Sequence, residues 1–200
     1  MIESTLLESG ISKIAGCDEA GRGPCAGPLV IAAVILSFPL VKELDGITDS
    51  KQLSESKRES LFEAICEHAL SYSIIEISAV EIDMNGLHKS NLEGMRRAVS
   101  TLKIKPEYVL TDGYAIEGID IPSLAIWKGD QVAVSVGAAS ILAKVHRDRT
   151  MAKFDKEYPG YGFAEHKGYI TAKHTAALEK LGVSQIHRRT FSNIANLINK

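Results

Sequence analysis

The 200-residue chain is short of several things, and each scarcity excludes a class of protein. Its three cysteines, Cys17, Cys25 and Cys66, are odd in number and lack CxxC spacing, so neither a disulfide framework nor a zinc site is indicated. Glycine (16) and proline (6) are too few and too scattered for a collagen-like or low-complexity chain. The longest apolar run, Leu29 to Leu36, is far short of the roughly 20 residues that span a bilayer. Met1 to Gly10 has no basic start and no hydrophobic core, so no secretory signal is expected. A cytoplasmic protein without a membrane partner is the expectation. What remains is ordinary globular composition, 45% hydrophobic and 24% charged, with length enough for one domain and a sizeable core.

The formal net charge of −2 alone argues against a nucleic-acid binder, but it hides an asymmetry. Residues 1–127 carry 11 Lys/Arg against 19 Asp/Glu, whereas residues 128–200 carry 12 against 6. A basic C-terminal third can dock a polyanion while acidic groups elsewhere do chemistry. Chance segregation on a solvated surface is the bland alternative.

The pattern predicts strands at Ile14 to Asp18, Pro28 to Phe38, Tyr72 to Ile77, Tyr108 to Thr111 and Ser123 to Trp127. Helices are expected at Ser54 to Ala69, where Ser54 is the N-cap, and after the Asn85-Gly86 break. From Gln131 the chain turns helical: Val132 to Arg147, Tyr169 to Leu181 closed by Gly182, and Asn193 to Asn199. Strands first and helices later suggest an α/β or α+β sheet domain with a helical C-terminal extension. Residues 1–12 read as a tail and 13–200 as the domain.

Four carboxylates stand out. Asp18 and Glu19 end an apolar strand, where burial is costly without compensation. Successive strand residues face opposite sides, so both serve one site only where the strand runs into a turn. Asp112 ends another apolar strand, and Asp130 precedes a helix that it could simply cap. A surface turn explains the first pair equally well in isolation. Together, four acids at strand ends describe a site for hard divalent cations beyond one sheet edge. Two such ions suit phosphodiester hydrolysis. The GRGPCAG turn lacks the GK[ST] of a phosphate-binding loop; its glycines bring backbone amides, with Arg22, close to a sugar or phosphate.

These blocks resemble the bacterial ribonuclease HII family: GCDEAGRGPCAGP (16–28), TDSKQL (48–53), LTDG (110–113), KGD (128–130), SVGAASILAKVHRDR (135–149), YPGYGF (158–163), HKGY (166–169) and HRRTF (187–191). Departures are small, Thr111 standing where an apolar residue is common and Thr190 where Ser is usual. The resemblance implies a ribonuclease H-like mixed five-stranded sheet with flanking helices and a C-terminal helical extension. It implies an endonuclease that cuts RNA in RNA–DNA hybrids and single ribonucleotides in duplex DNA, leaving 5′-phosphate and 3′-hydroxyl ends. It further implies Asp18, Glu19, Asp112 and Asp130 as catalytic ligands of two Mg²⁺ or Mn²⁺ ions. Gly21, Arg22 and Gly23 would bind substrate, with Tyr161 as the substrate-reading tyrosine.

Lys51 and Arg188 are further candidate phosphate contacts, against a loop salt bridge and a solvated cluster respectively. His166, His174 and His187 lack zinc-type spacing, and Trp127 is most simply a core residue. The tail shows no sliding-clamp motif, and a monomer is expected. The rival readings are a DNA-only nuclease or resolvase on the same fold, a non-catalytic nucleic-acid-binding module, and a nucleotide-binding protein.

Overall fold

A computed structural model describes residues 2–198. In chain order the elements are α1 (Ile2–Glu8), β1 (Ile14–Ala20), β2 (Leu29–Ile35), α2 (Glu55–His68), β3 (Ser71–Ile77), α3 (Ala79–Asn85) and α4 (Leu87–Ser100). There follow β4 (Tyr108–Asp112), β5 (Ser123–Ile126), α5 (Gly129–Val132), α6 (Val134–Glu157), α7 (Phe163–His166), α8 (Ala172–Leu181) and α9 (Ser192–Ile198). The end of the helix expected over Asn193 to Asn199 falls outside the described residues.

The strands form one mixed sheet in the order β3-β2-β1-β4-β5. β1, β2 and β3 pair antiparallel, while β4 lies parallel to β1 and β5 parallel to β4. Every residue of β2 is buried because both sheet faces are covered, which is why its sequence is a continuous apolar run rather than an alternation. Ala15, Cys17, Ile31 and Ala33 pack on one face against Met95, Ala98 and Val99 of α4. Val30, Ala32 and Val34 pack on the other against Leu61 and Ile65 of α2 and Ala138, Ile141 and Leu142 of α6.

Small residues let α6 lie unusually close to the sheet. A Cβ on Gly16 of β1 would stand 2.0 Å from the Ser135 carbonyl carbon, so this backbone-to-backbone contact admits only glycine. The helix runs ten residues beyond the expected Arg147. Past that point only one face is buried, carrying Met151 and Phe154 into a C-terminal cluster, so the sequence there reads as polar. α8 starts at Ala172 rather than Tyr169 because the Thr171 side chain accepts from His174 N and caps the helix.

Residues 2–8 form a helix where a tail was expected. Ile2, Leu6 and Leu7 pack beside Ile14, Leu110 and Val136. Glu3 is wholly buried, and its Oε1 accepts from Ser135 N at 2.9 Å and Ser135 Oγ at 2.8 Å. The N-cap of α6 is Ala133, which has no capping side chain. Glu3 therefore supplies from a distance the acceptor that the first turn of α6 lacks.

Candidate active site

The strand alternation that puts Cys17 on the α4 face also assigns Asp18 and Glu19 to opposite faces of β1. They are reunited because β1 is at its C-terminal end. Asp18, Glu19 and Asp112 line a cavity of about 440 Å³ together with the Gly21–Gly23 turn and Lys51. Glu19, Asp112 and Lys51 also line an adjoining cavity of about 380 Å³ that contains Asp130. Parallel pairing of β4 with β1 is what brings Asp112 to the same sheet edge, 94 positions from Asp18.

Each carboxylate has a local tether. Asp18 Oδ1 accepts from Glu19 N at 2.7 Å, and Asp112 Oδ1 accepts from Gly129 N at 2.7 Å. The second bond ties the end of β4 to the start of α5 and so positions Asp130. Glu19 forms an ion pair with Arg22 at 3.5 Å, and the Arg22 guanidinium lies 4.7 Å from the Tyr114 ring centroid.

The electrostatics are unfavourable for bare carboxylates. Burial, reinforced by Glu19 and Asp112, holds Asp18 well above the usual carboxylate range. Burial lifts Glu19 to about 7, with Arg22 opposing and Asp112 adding to the rise. Burial, with Asp49 and Asp112, lifts Asp130 to about 6. Glu19 Oε2 is buried without a hydrogen-bond partner. Among the described residues no three acidic, His or Cys side chains are closed into a metal-holding group; the acids share a basin without converging. Oxygen donors, an orphaned acceptor and unrelieved repulsion all fit a hard divalent cation.

Two arginines build the turn that faces these acids. Arg147, 1% exposed, donates from Nε to the Pro28 carbonyl and from Nη2 to the Ala26 and Lys167 carbonyls, at 3.0–3.1 Å. Arg188, fully buried, donates to the carbonyls of Gly21, Arg22 and Gly27. Burial and the neighbouring Arg147 push Arg188 down to about 9, so it stays charged at neutral pH. This corrects the expectation that Arg188 contacts substrate: its guanidinium is spent on backbone carbonyls and does not reach solvent. Gly21 has φ +98°, and a Cβ there would stand 2.1 Å from Arg147 Nε, so the first glycine is required by packing as well as conformation.

Tyr161 is likewise corrected. It is 7% exposed, stacks on Phe163 at 5.1 Å, and its hydroxyl donates to the Gly182 carbonyl at 2.8 Å, all within the C-terminal cluster. The tyrosine on the cavity wall is Tyr169, half exposed, whose Cε1 lies 3.3 Å from where a Cβ on Gly23 would stand. The HKGY block already contained it; nothing in the sequence separated an outward tyrosine from an inward one. Lys51 lines both cavities, and its backbone N–H donates to Asp49. Trp127, expected in the core, is 84% exposed.

The three histidines form a hydrogen-bonded and stacked network behind Tyr169, His166 lying on His174 at 4.3 Å. Ser184 N–H donates to His187 Nδ1 at 3.0 Å, so His187 carries its proton on Nε2 and donates to His174 Nε2 at 3.0 Å. His174 then donates from Nδ1 to the Tyr169 carbonyl at 3.0 Å. His166 accepts from Gly168 N at Nδ1 and donates from Nε2 to the Tyr161 carbonyl.

A mixed five-stranded sheet with four carboxylates at one edge and a glycine-arginine-glycine turn beside them defines a ribonuclease H-like nuclease. The ribonuclease HII family model matches residues 15–194. Ribonuclease HII of Salinispora arenicola is 52% identical over 196 residues, 98% of this chain and 73% of that relative. The ribonuclease H2 of Pyrococcus horikoshii superposes with a TM-score of 0.81 at 30% identity, covering 94% of this chain and 97% of the other. The ribonuclease HII of Archaeoglobus fulgidus, solved in complex with PCNA, superposes with a TM-score of 0.74 at 26% identity, covering 90% and 95%. The chain belongs to the ribonuclease HII family, endoribonucleases that act on RNA–DNA hybrids. No described helix is long and apolar enough to cross a membrane.

Proposed function

We propose that this enzyme cuts, besides hybrids, duplex DNA at a single embedded ribonucleotide, on its 5′ side, leaving 5′-phosphate and 3′-hydroxyl ends. The observation that carries this reading is the approach of Tyr169 to Gly23 beside Asp18, Glu19 and Asp112. One 2′-hydroxyl is all that distinguishes such a substrate from DNA, so its reader must be sugar-sized and adjacent to the reacting phosphate. The Gly21–Arg22–Gly23 backbone, hydrogen-bonded by Arg188 and packed against Arg147, presents hydrogen-bonding groups to that hydroxyl, and the Tyr169 ring packs on the neighbouring sugar. Arg22 and Lys51 contact phosphate.

Asp18, Glu19, Asp112 and Asp130 would hold two Mg²⁺ or Mn²⁺ ions, which when bound supply nucleophile activation and leaving-group stabilisation. The protein's own work is to hold the scissile phosphate in line and to keep the carboxylates desolvated and close. The assay is a denaturing gel of end-labelled duplexes with zero, one or four ribonucleotides, with and without divalent cation. A single cut 5′ to the lone ribonucleotide is expected. Equal cutting of the all-DNA duplex would favour the DNA-nuclease reading instead.

A further inference from the structure

Trp127 is the chain's single tryptophan and is 84% exposed, although it directly follows β5. An outward indole leaves one of the largest apolar side-chain surfaces in water, and tryptophan is among the side chains best suited to pack on nucleic acid. Its position is fixed. Lys128, the next residue, takes a left-handed conformation (φ 55°, ψ 47°), which turns the chain abruptly from β5 into α5. The turn is tied from both sides, by Gly129 N to Asp112 Oδ1 and by Gly113 N to the Ile126 carbonyl at 2.9 Å. A non-glycine residue in that region costs free energy, and the surrounding bonds hold it there.

The indole also has an address. Trp127 and Lys128 line the cavity that contains Asp112 and Asp130, along with Arg22 and Tyr114. Aromatic and cationic side chains thus share a rim with the acids, as a site needs if it takes phosphates at its centre and nucleotides at its edge. In a hybrid duplex the sugars' 2′-hydroxyls are displayed in a wide, shallow minor groove, so a site that reads sugars approaches from that side. A side chain on its rim meets minor-groove sugars and base edges.

We propose that Trp127 is a substrate contact, its indole packing on the minor-groove face of the duplex beside the reacting phosphate while Lys128 meets an adjacent phosphate. The inference rests on the hybrid-cleaving activity. It assigns Trp127 to binding and not to the chemical step.

Because the chain has no other indole, tryptophan fluorescence reports on this position alone. Stopped-flow mixing of the wild-type enzyme with a saturating RNA–DNA hybrid should change the emission before cleavage products accumulate. Trp127→Ala should raise KM roughly five- to tenfold with kcat within about twofold, and Trp127→Phe should recover most of the loss. The thermal midpoint should stay unchanged in both variants, since the side chain packs on little. Unchanged emission at saturating hybrid, or unchanged KM in Trp127→Ala, overturns the inference while leaving the hybrid-cleaving activity standing. Failure of the wild type to cleave hybrids overturns both.

Discussion

Arg188 and Gly21, 167 positions apart, are joined by a 2.6 Å hydrogen bond from the guanidinium to the glycine carbonyl. The same guanidinium also bonds the Arg22 and Gly27 carbonyls, so one buried cation shapes the turn that faces the carboxylates. Arg188→Ala would leave these carbonyls without their donor, at a cost of about 3 kcal/mol or more. Both thermal stability and cleavage should fall, and Arg188→Lys should rescue neither fully because one ammonium nitrogen cannot span the positions that Nε, Nη1 and Nη2 reach. The salt dependence of duplex binding, measured by anisotropy on the folded fraction, should be unchanged. A flatter slope would return Arg188 to the substrate.

The carboxylates should separate activity from stability. Asp18→Asn keeps an oxygen to accept from Glu19 N but removes a charge that burial and its neighbours disfavour. Cleavage should be lost while the thermal midpoint, measured in chelator, stays level or rises. Asp112→Asn should behave alike, retaining an acceptor for Gly129 N. Full activity in either variant, or in excess chelator, would remove the cation-dependent reading.

Two tyrosines eight positions apart should give opposite results. Tyr169→Ala should leave stability near wild type and reduce cleavage at a lone ribonucleotide more than it reduces binding. Tyr161→Ala removes a buried ring and its bond to Gly182, costing roughly 3–5 kcal/mol, with the cleavage position unchanged in the protein that remains folded. Gel mapping and denaturant titration of the pair distinguish the two.

Burial and the neighbouring His174 push His187 down to about 4, against 6.5 when unperturbed. At pH below 6.5 the unfolded chain takes a proton that the folded chain refuses. His187 therefore contributes stability at pH 7 and above that is lost as pH falls toward 4, by roughly 3 kcal/mol. Glu19 and Asp130, raised in the fold, shift stability in the opposite direction, so the difference from His187→Gln is the quantity to measure. Urea unfolding in chelator should show the variant less stable than wild type at pH 8, with the gap narrowing at pH 5. A constant gap would mean His187 does not titrate as its burial dictates.

The acids were legible because strand-ending carboxylates after apolar runs violate ordinary burial preferences, and a violated preference is visible in one dimension. Asp112 and Asp130 could be grouped with Asp18 and Glu19 before any pairing of β4 with β1 was known. Arg188 was illegible for the opposite reason: a basic pair in a polar segment looks solvated, and only carbonyls 161 to 167 positions away reveal that it is buried. Tyr161 and Tyr169 sit in equally aromatic, glycine-rich blocks, and their directions depend on which ring Phe163 stacks with. Trp127 reads as core because it ends a strand; the left-handed Lys128 that turns the chain outward has no sequence signature. α1 was missed because its apolar face is completed only by Ile14, Leu110 and Val136.

Glu3 caps a helix through Ser135, 132 positions after it. During synthesis its carboxylate emerges almost first and then waits on the order of ten seconds for its partner at the rates usual for ribosomes. For that interval α6 does not exist, and of the partners of α1 only Ile14 and later Leu110 have been made. The sheet edge that carries Asp18 is likewise open until β4 is made. The four acids can therefore be gathered only after Asp130 has been made, so the beginning of the chain must wait for its later half before the active site can be complete.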